Sequence, residues 1–126
     1  ADARGLMQII PSTGRAIARH LGITDFTPES LYEPETNITL GIRYLTDLMT
    51  RSGGDLVRVL CSYNAGEIRS DQWWDLYKEL DVDERIESIT FRETRDYVKK
   101  VLNHLEIYRR LYESPPPDGK KNLSWR

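Results

Sequence analysis

"DLVRVLCSYNAG", residues 55–66, is the stretch from which the fold reads outward. It is apolar almost all round, which suits a helix enclosed by core rather than one lying on a surface. Asp55 stands where an N-cap belongs, and Asn64 to Gly66 close the segment with residue types that tolerate the left-handed backbone of a helix end. A buried helix needs others around it, and the flanking sequence supplies them.

Upstream, "NITLGIRYLTDLM" (37–49) sets Ile38, Ile42, Leu45 and Met49 on one stripe and stops at Gly53 and Gly54. "PSTGRAIARHLG" (11–22) begins with polar capping residues, carries Ala16, Ile17 and Leu21 at helical spacing, and has Gly22 where a C-terminal cap belongs. In "TPESLY" (27–32), Thr27 reads as an N-cap and Pro28 as the first position of one or two turns before Pro34. Downstream, "DQWWDLYKEL" (71–80) predicts a short helix, with "GEIRSDQ" and "VDERIES" as solvated charged connectors. The longest helix follows "ESITF" (87–91): Thr90 and Glu93 form a capping box, Val98, Val101, Leu105, Tyr108 and Tyr112 run down one face, and Pro115 to Pro117 end it. No alternating apolar and polar run is long enough for a sheet. The expected class is all-α, with a Pro-rich tail over 115–126.

Composition narrows the function. A chain of 126 residues with 39% apolar content suffices for one domain with a real core. A net charge of −2, with Lys and Arg interspersed among Asp and Glu, offers no basic face for nucleic acid. No apolar run approaches the roughly 20 residues that span a bilayer. Cys61 is the only cysteine, and His20 and His104 fall on separate helices without metal-ligating company. No metal and no cofactor are signalled.

Three ordered stretches carry chemistry beyond scaffold: "GLMQ" at 5–8, "SYNAG" at 62–66 and "ITFRETRDYV" at 89–98. Together with "NITLGIRYL" and "GGDLVRVL", they resemble the catalytic domain of the soluble lytic transglycosylases, lysozyme-like enzymes that cut peptidoglycan. The resemblance runs from Ala1 to about Tyr112, so residues 1–114 are read as that domain. Ser62 and Thr90 replace the Ala and Pro usual at their positions, both conservatively. The family's first motif, a Glu followed by Ser on a helix, precedes the GLMQ motif and is not among these residues. The domain is therefore expected to be N-terminally incomplete and inactive alone, with the catalytic Glu in an upstream helical region of the full protein.

The resemblance implies cleavage of the β-1,4 bond between N-acetylmuramic acid and N-acetylglucosamine without water, a carbon–oxygen lyase reaction giving 1,6-anhydromuramoyl products. It also implies glycan strands as partner and the periplasm or envelope as compartment. By matching position, Met7, Gln8, Tyr63, Asn64 and Tyr97 line the groove. Taken chemically, Met7 is a deformable apolar wall and Gln8 an amide that donates and accepts; chemistry alone favours core packing for Met7 and loop fastening for Gln8, and the resemblance reverses that preference. Tyr63 and Asn64 sit at a helix end, and Tyr97 beside the inward stripe of the last helix. Glu93 reads as structural, and Glu67 as the one carboxylate with a position to face the cleft, although a solvated loop acid is the commoner case. At most one of Trp73 and Trp74 is expected to stack on sugar, since adjacent helical positions diverge. Cys61 reads as a buried small residue. The alternative is a non-catalytic peptidoglycan-binding or scaffold module.

Overall fold

The computed structural model describes residues 2–113, so the tail expected over 115–126 lies outside them. Among the described residues the chain is helical without a named strand: α1 (Pro11–His20), a 3-10 turn (Pro28–Tyr32), α2 (Pro34–Arg51), α3 (Leu56–Ala65), α4 (Glu67–Tyr77), α5 (Val82–Glu87) and α6 (Arg92–Tyr112). None of these helices is long and apolar enough to cross a membrane. The all-α expectation holds. Two compact units divide the chain, Ala1–Thr50 and Arg51–Arg126.

In the first unit, Ile9, Ile17, Ala18, Leu31 and Leu40 form the core, with Met7, Ile23, Phe26 and Tyr44 packed against it. α1 begins at Pro11 behind Ile10, without the side-chain cap expected of its polar first residues; Ser12 and Thr13 lie inside the helix. Its end follows the sequence: Gly22 has φ +76, its N–H reaches Arg19 O, and Ile23 N–H reaches Ala18 O, a paired closure that satisfies two terminal carbonyls. Ahead of the short turn, Thr27 N–H donates to Ser30 Oγ at 3.1 Å.

The stripe on α2 is corrected. Ile38, Ile42 and Met49 are exposed, at 37%, 55% and 38%, while Asn37, Leu40, Gly41 and Leu48 are the buried set. The row containing a polar and a small residue faces inward because Asn37 finds hydrogen-bond partners there and Gly41 leaves room for a side chain.

The second unit packs Val57, Leu60 and Cys61 of α3 with Trp73, Trp74, Ile86, Ile89, Val98 and Leu102. Asp55 caps α3 as expected, accepting from Arg58 N–H at 3.2 Å. Both charged connectors are in fact helical. α4 starts at Glu67, directly after Gly66, whose φ of +91 breaks the chain between two helices in a single residue. α5 is capped by Asp81, which accepts from Glu84 N–H at 2.9 Å, and it buries Ile86. The capping box of α6 is absent: Phe91 holds the N-cap position with no side-chain bond, because the Thr90 hydroxyl accepts from Trp73 Nε1 at 2.8 Å. α6 buries Thr94, Val98 and Leu102, whereas Tyr108 and Tyr112 are exposed and stack on each other at 4.9 Å.

Candidate functional site

Met7 and Gln8 belong to the first unit and sit on a tight turn. Arg4 and Ile9 exchange both backbone hydrogen bonds, and Gln8 N–H closes on Gly5 O at 3.1 Å. Gly5 has φ +75, and a Cβ there would collide with the Asn37 side chain and Leu31 O, so only glycine fits. Gln8 itself is left-handed at φ +49, an uncommon conformation for a residue with a side chain. Its Nε2 donates to Gly5 O at 2.9 Å, fastening the turn, while the residue as a whole stays exposed. Met7 is half-buried against Gly41, where an added Cβ would stand 2.7 Å from the Met7 Cβ and Cγ.

The residue that holds this turn was not singled out in the sequence. Asn37, completely buried, accepts from Met7 N–H at 2.7 Å and donates through Nδ2 to Arg4 O and Leu31 O, both at 2.9 Å. All three bonds go to backbone; without them Met7 N–H and Leu31 O would be stranded, while Arg4 O would keep Ile9 N–H. An Asn early in a helix, a turn's length after a Pro, was the only available signal.

Tyr63, Asn64 and Tyr97 belong to the second unit. Tyr63 is half-buried and Asn64 exposed at the last turn of α3. Thr94, buried on α6, donates its hydroxyl to Asn64 Oδ1 at 2.7 Å, which fixes the amide's orientation and leaves its N–H donors uncommitted among the described residues. Thr94 was also missed, read only as a helix position within the last motif. Tyr97 is half-buried against the core, and burial pushes its phenol above the usual tyrosine range. It remains a neutral donor at any physiological pH.

Glu67, the cleft carboxylate of the sequence reading, is held by Arg51 Nη1 at 2.6 Å. Glu93 is exposed and makes no capping bond. Neither tryptophan offers a sugar platform: Trp73 and Trp74 are 3% and 8% exposed, and their ring N–H groups go to Thr90 and, at 3.2 Å, to Asp55 Oδ2. Arg85 lies over the Trp74 ring and donates to Tyr77 O, Lys78 O and Leu80 O, closing the end of α4. Cys61 is fully buried and burial pushes its thiol up to about 12, so it supplies no nucleophile. His20 and His104 are exposed, and the described residues contain no cluster of metal-ligating side chains.

Comparison with known proteins identifies the family. Residues 1–86 match the model of the transglycosylase SLT domain, and 88–117 that of the soluble lytic transglycosylase helical domain. The chain is 39% identical over 109 residues to the soluble lytic murein transglycosylase of Salmonella typhimurium, covering 85% of this chain and 17% of that protein. It is 36% identical over 125 residues to the soluble lytic murein transglycosylase of Escherichia coli K12, covering 98% and 19%. The X-ray structure of an inactive glutamate-to-glutamine mutant of lytic transglycosylase Slt from Pseudomonas aeruginosa matches with a TM-score of 0.77 at 35% identity, over 98% of this chain and 20% of that one. The chain spans about a fifth of the length of these relatives. With a family model over most of its length and a related fold along nearly all of it, the chain belongs to the soluble lytic transglycosylase (SLT) family.

Proposed function

We propose that the protein is a peptidoglycan lytic transglycosylase, cleaving between N-acetylmuramic acid and N-acetylglucosamine without water and leaving a 1,6-anhydromuramoyl end. The observation that carries this reading is the SLT family match, reinforced by relatives whose names specify lytic action on murein. A glycosidic oxygen leaves only when protonated, so one carboxylic acid must donate; as carboxylate it then takes a proton from the muramoyl 6-hydroxyl, which attacks the anomeric carbon in place of water. No bond in this scheme requires a metal or cofactor. In it, Tyr97 offers a neutral hydroxyl to the reacting sugar, and Asn64 offers N–H donors to an acetamido or hydroxyl oxygen beside Tyr63. In the first unit, Met7 offers an apolar wall on its glycine seat, and Gln8 the free oxygen of its amide.

We assign the proton donor to a glutamate other than those described. Every described Asp and Glu is exposed or half-exposed. The half-exposed ones each meet an arginine: Asp47 with Arg43, Asp55 with Arg85, Glu67 with Arg51, Glu106 with Arg110. A proton donor needs apolar enclosure instead. Glu84 is pushed up, but by its hydrogen bond with Asp81 on an open surface. The inactive mutant of the Pseudomonas aeruginosa relative, with glutamate replaced by glutamine, agrees with dependence on a glutamate in that protein. The substrate places the activity in the periplasm or envelope, and residues 1–114 serve as the transglycosylase domain of a longer protein.

The test is digestion of purified sacculi with product analysis by mass spectrometry. The full protein should release anhydromuropeptides, one water lighter than hydrolytic products, and the 126-residue chain should release none. Hydrolytic ends from the full protein would overturn the chemistry. The same set of engaged carboxylates favours a second reading, a glycan-binding module without catalysis. Binding of glycan with no cleavage by the full protein would establish it.

A further inference from the structure

The second unit holds a cation that its surroundings leave without an acid. Arg69 stands in the first turn of α4, where the helix dipole disfavours positive charge, and among the described residues no carboxylate pairs with it. Several other arginines of this unit are paired: Arg51 with Glu67, Arg58 with Asp71, Arg85 with Asp55 and Arg92 with Asp96. The Arg69 guanidinium lies instead over the Phe91 ring, 4.5 Å from its centroid. Phe91, 42% exposed, meets Trp73 edge-on at 5.4 Å, and Trp73 is fixed in the core by its bond to Thr90. The cation therefore rests on a supported aromatic stack.

Stacking occupies the face of a guanidinium and leaves its in-plane N–H donors at the edge, in the fork that matches a carboxylate. The fork is linked to one of the proposed glycan residues through Phe91 beneath the cation, α6 and the Thr94 bond to Asn64. Thr94, which orients Asn64, is one helical turn beyond Phe91 on α6, and Arg69 follows Asn64 by five residues around Gly66.

We propose that Arg69, seated on Phe91, recognises a carboxylate carried by the glycan and so selects acidic over neutral strands. This rests on the glycan reading above. Two parts of peptidoglycan carry that chemistry: the lactyl carboxylate of peptide-free muramic acid and the carboxylates of a stem peptide. A neutral N-acetylglucosamine oligomer carries neither.

The test is calorimetric titration of the full protein with three probes: peptide-free muroglycan oligomers, peptide-bearing oligomers and chitooligosaccharides. The wild type should bind at least one carboxylated probe more tightly than the neutral one. Arg69→Gln should lose about tenfold in that affinity, as expected for one charge-assisted contact, and keep its affinity for chitooligosaccharides. Arg69→Lys should recover only part of the loss, because an ammonium lacks the fork. A loss confined to peptide-free oligomers assigns the lactyl group; one confined to peptide-bearing oligomers assigns the stem. Equal losses for charged and neutral probes, or none, overturn the proposal and leave the glycan reading standing. Failure of the wild type to bind any probe overturns both.

Discussion

Two asparagines show how differently the two units use one side chain. Asn37, in the first, is wholly enclosed and turns its amide inward, bonding three backbone groups of the Met7 turn and the segment before α2. Asn64, in the second, is exposed at the end of α3, with one bond, from Thr94, that orients it and leaves its donors outward. Enclosure rather than residue type decides whether an amide fastens backbone or offers itself to a ligand. Removing the first should therefore harm the fold, and loosening the second should harm binding.

The largest effect is expected from Asn37→Ala. It strands Met7 N–H and the Leu31 carbonyl and takes one of two donors from the Arg4 carbonyl, which keeps Ile9 N–H, at a cost of about 3 kcal/mol. Chemical denaturation monitored by far-UV ellipticity checks this; a wild-type curve would break the comparison. Gly41→Ala should come next. The added Cβ meets Met7 at 2.7 Å, an overpacking cost of about 1–3 kcal/mol that exceeds the roughly 1 kcal/mol gained in helix propensity. Adding Met7→Ala in the same background removes the Cγ and Cε contacts but keeps Cβ at 2.7 Å, so it should recover only part of the stability; a double-mutant cycle with no coupling at all would show that Met7 does not rest on this seat. Thr94→Val should be smallest in stability, about 1 kcal/mol, with its larger consequence in glycan affinity through the untethered Asn64. Unchanged affinity with lowered stability would make Asn64 a structural residue like its counterpart.

The same contrast explains what the sequence made legible. Local chemistry was readable: Asp55 and its cap, the glycine closure after α1, the Gly66 break and the apolar surround of α3 all depend on residues a few positions apart. What failed depends on partners far along the chain. The inward face of α2 follows from Asn37 meeting Met7 thirty positions away, so hydrophobic periodicity chose the exposed row instead. Thr90 lost its capping role to Trp73, seventeen positions upstream, which also removed Trp73 as a sugar platform. The charged run before Ser88 concealed a helix because Asp81 and Ile86 were weighed as solvated neighbours rather than as cap and core. Met7, Gln8, Tyr63, Asn64 and Tyr97 were singled out from their motifs as groove candidates. Thr94 and Asn37, the residues that position two of those motifs, were not.

The burial of both adjacent tryptophans in α4 has a spectroscopic consequence. The three tryptophans, Trp73, Trp74 and Trp125, all follow position 51, so emission changes of the buried pair report the core of the second unit, whereas ellipticity registers helices in both. Superposed emission and ellipticity curves would mark one cooperative transition, and separated curves would mark two. In the second case the damage done by Asn37→Ala would be dark to fluorescence. A screen that reads tryptophan emission alone would pass, as stable, a protein whose Met7 turn had already come apart.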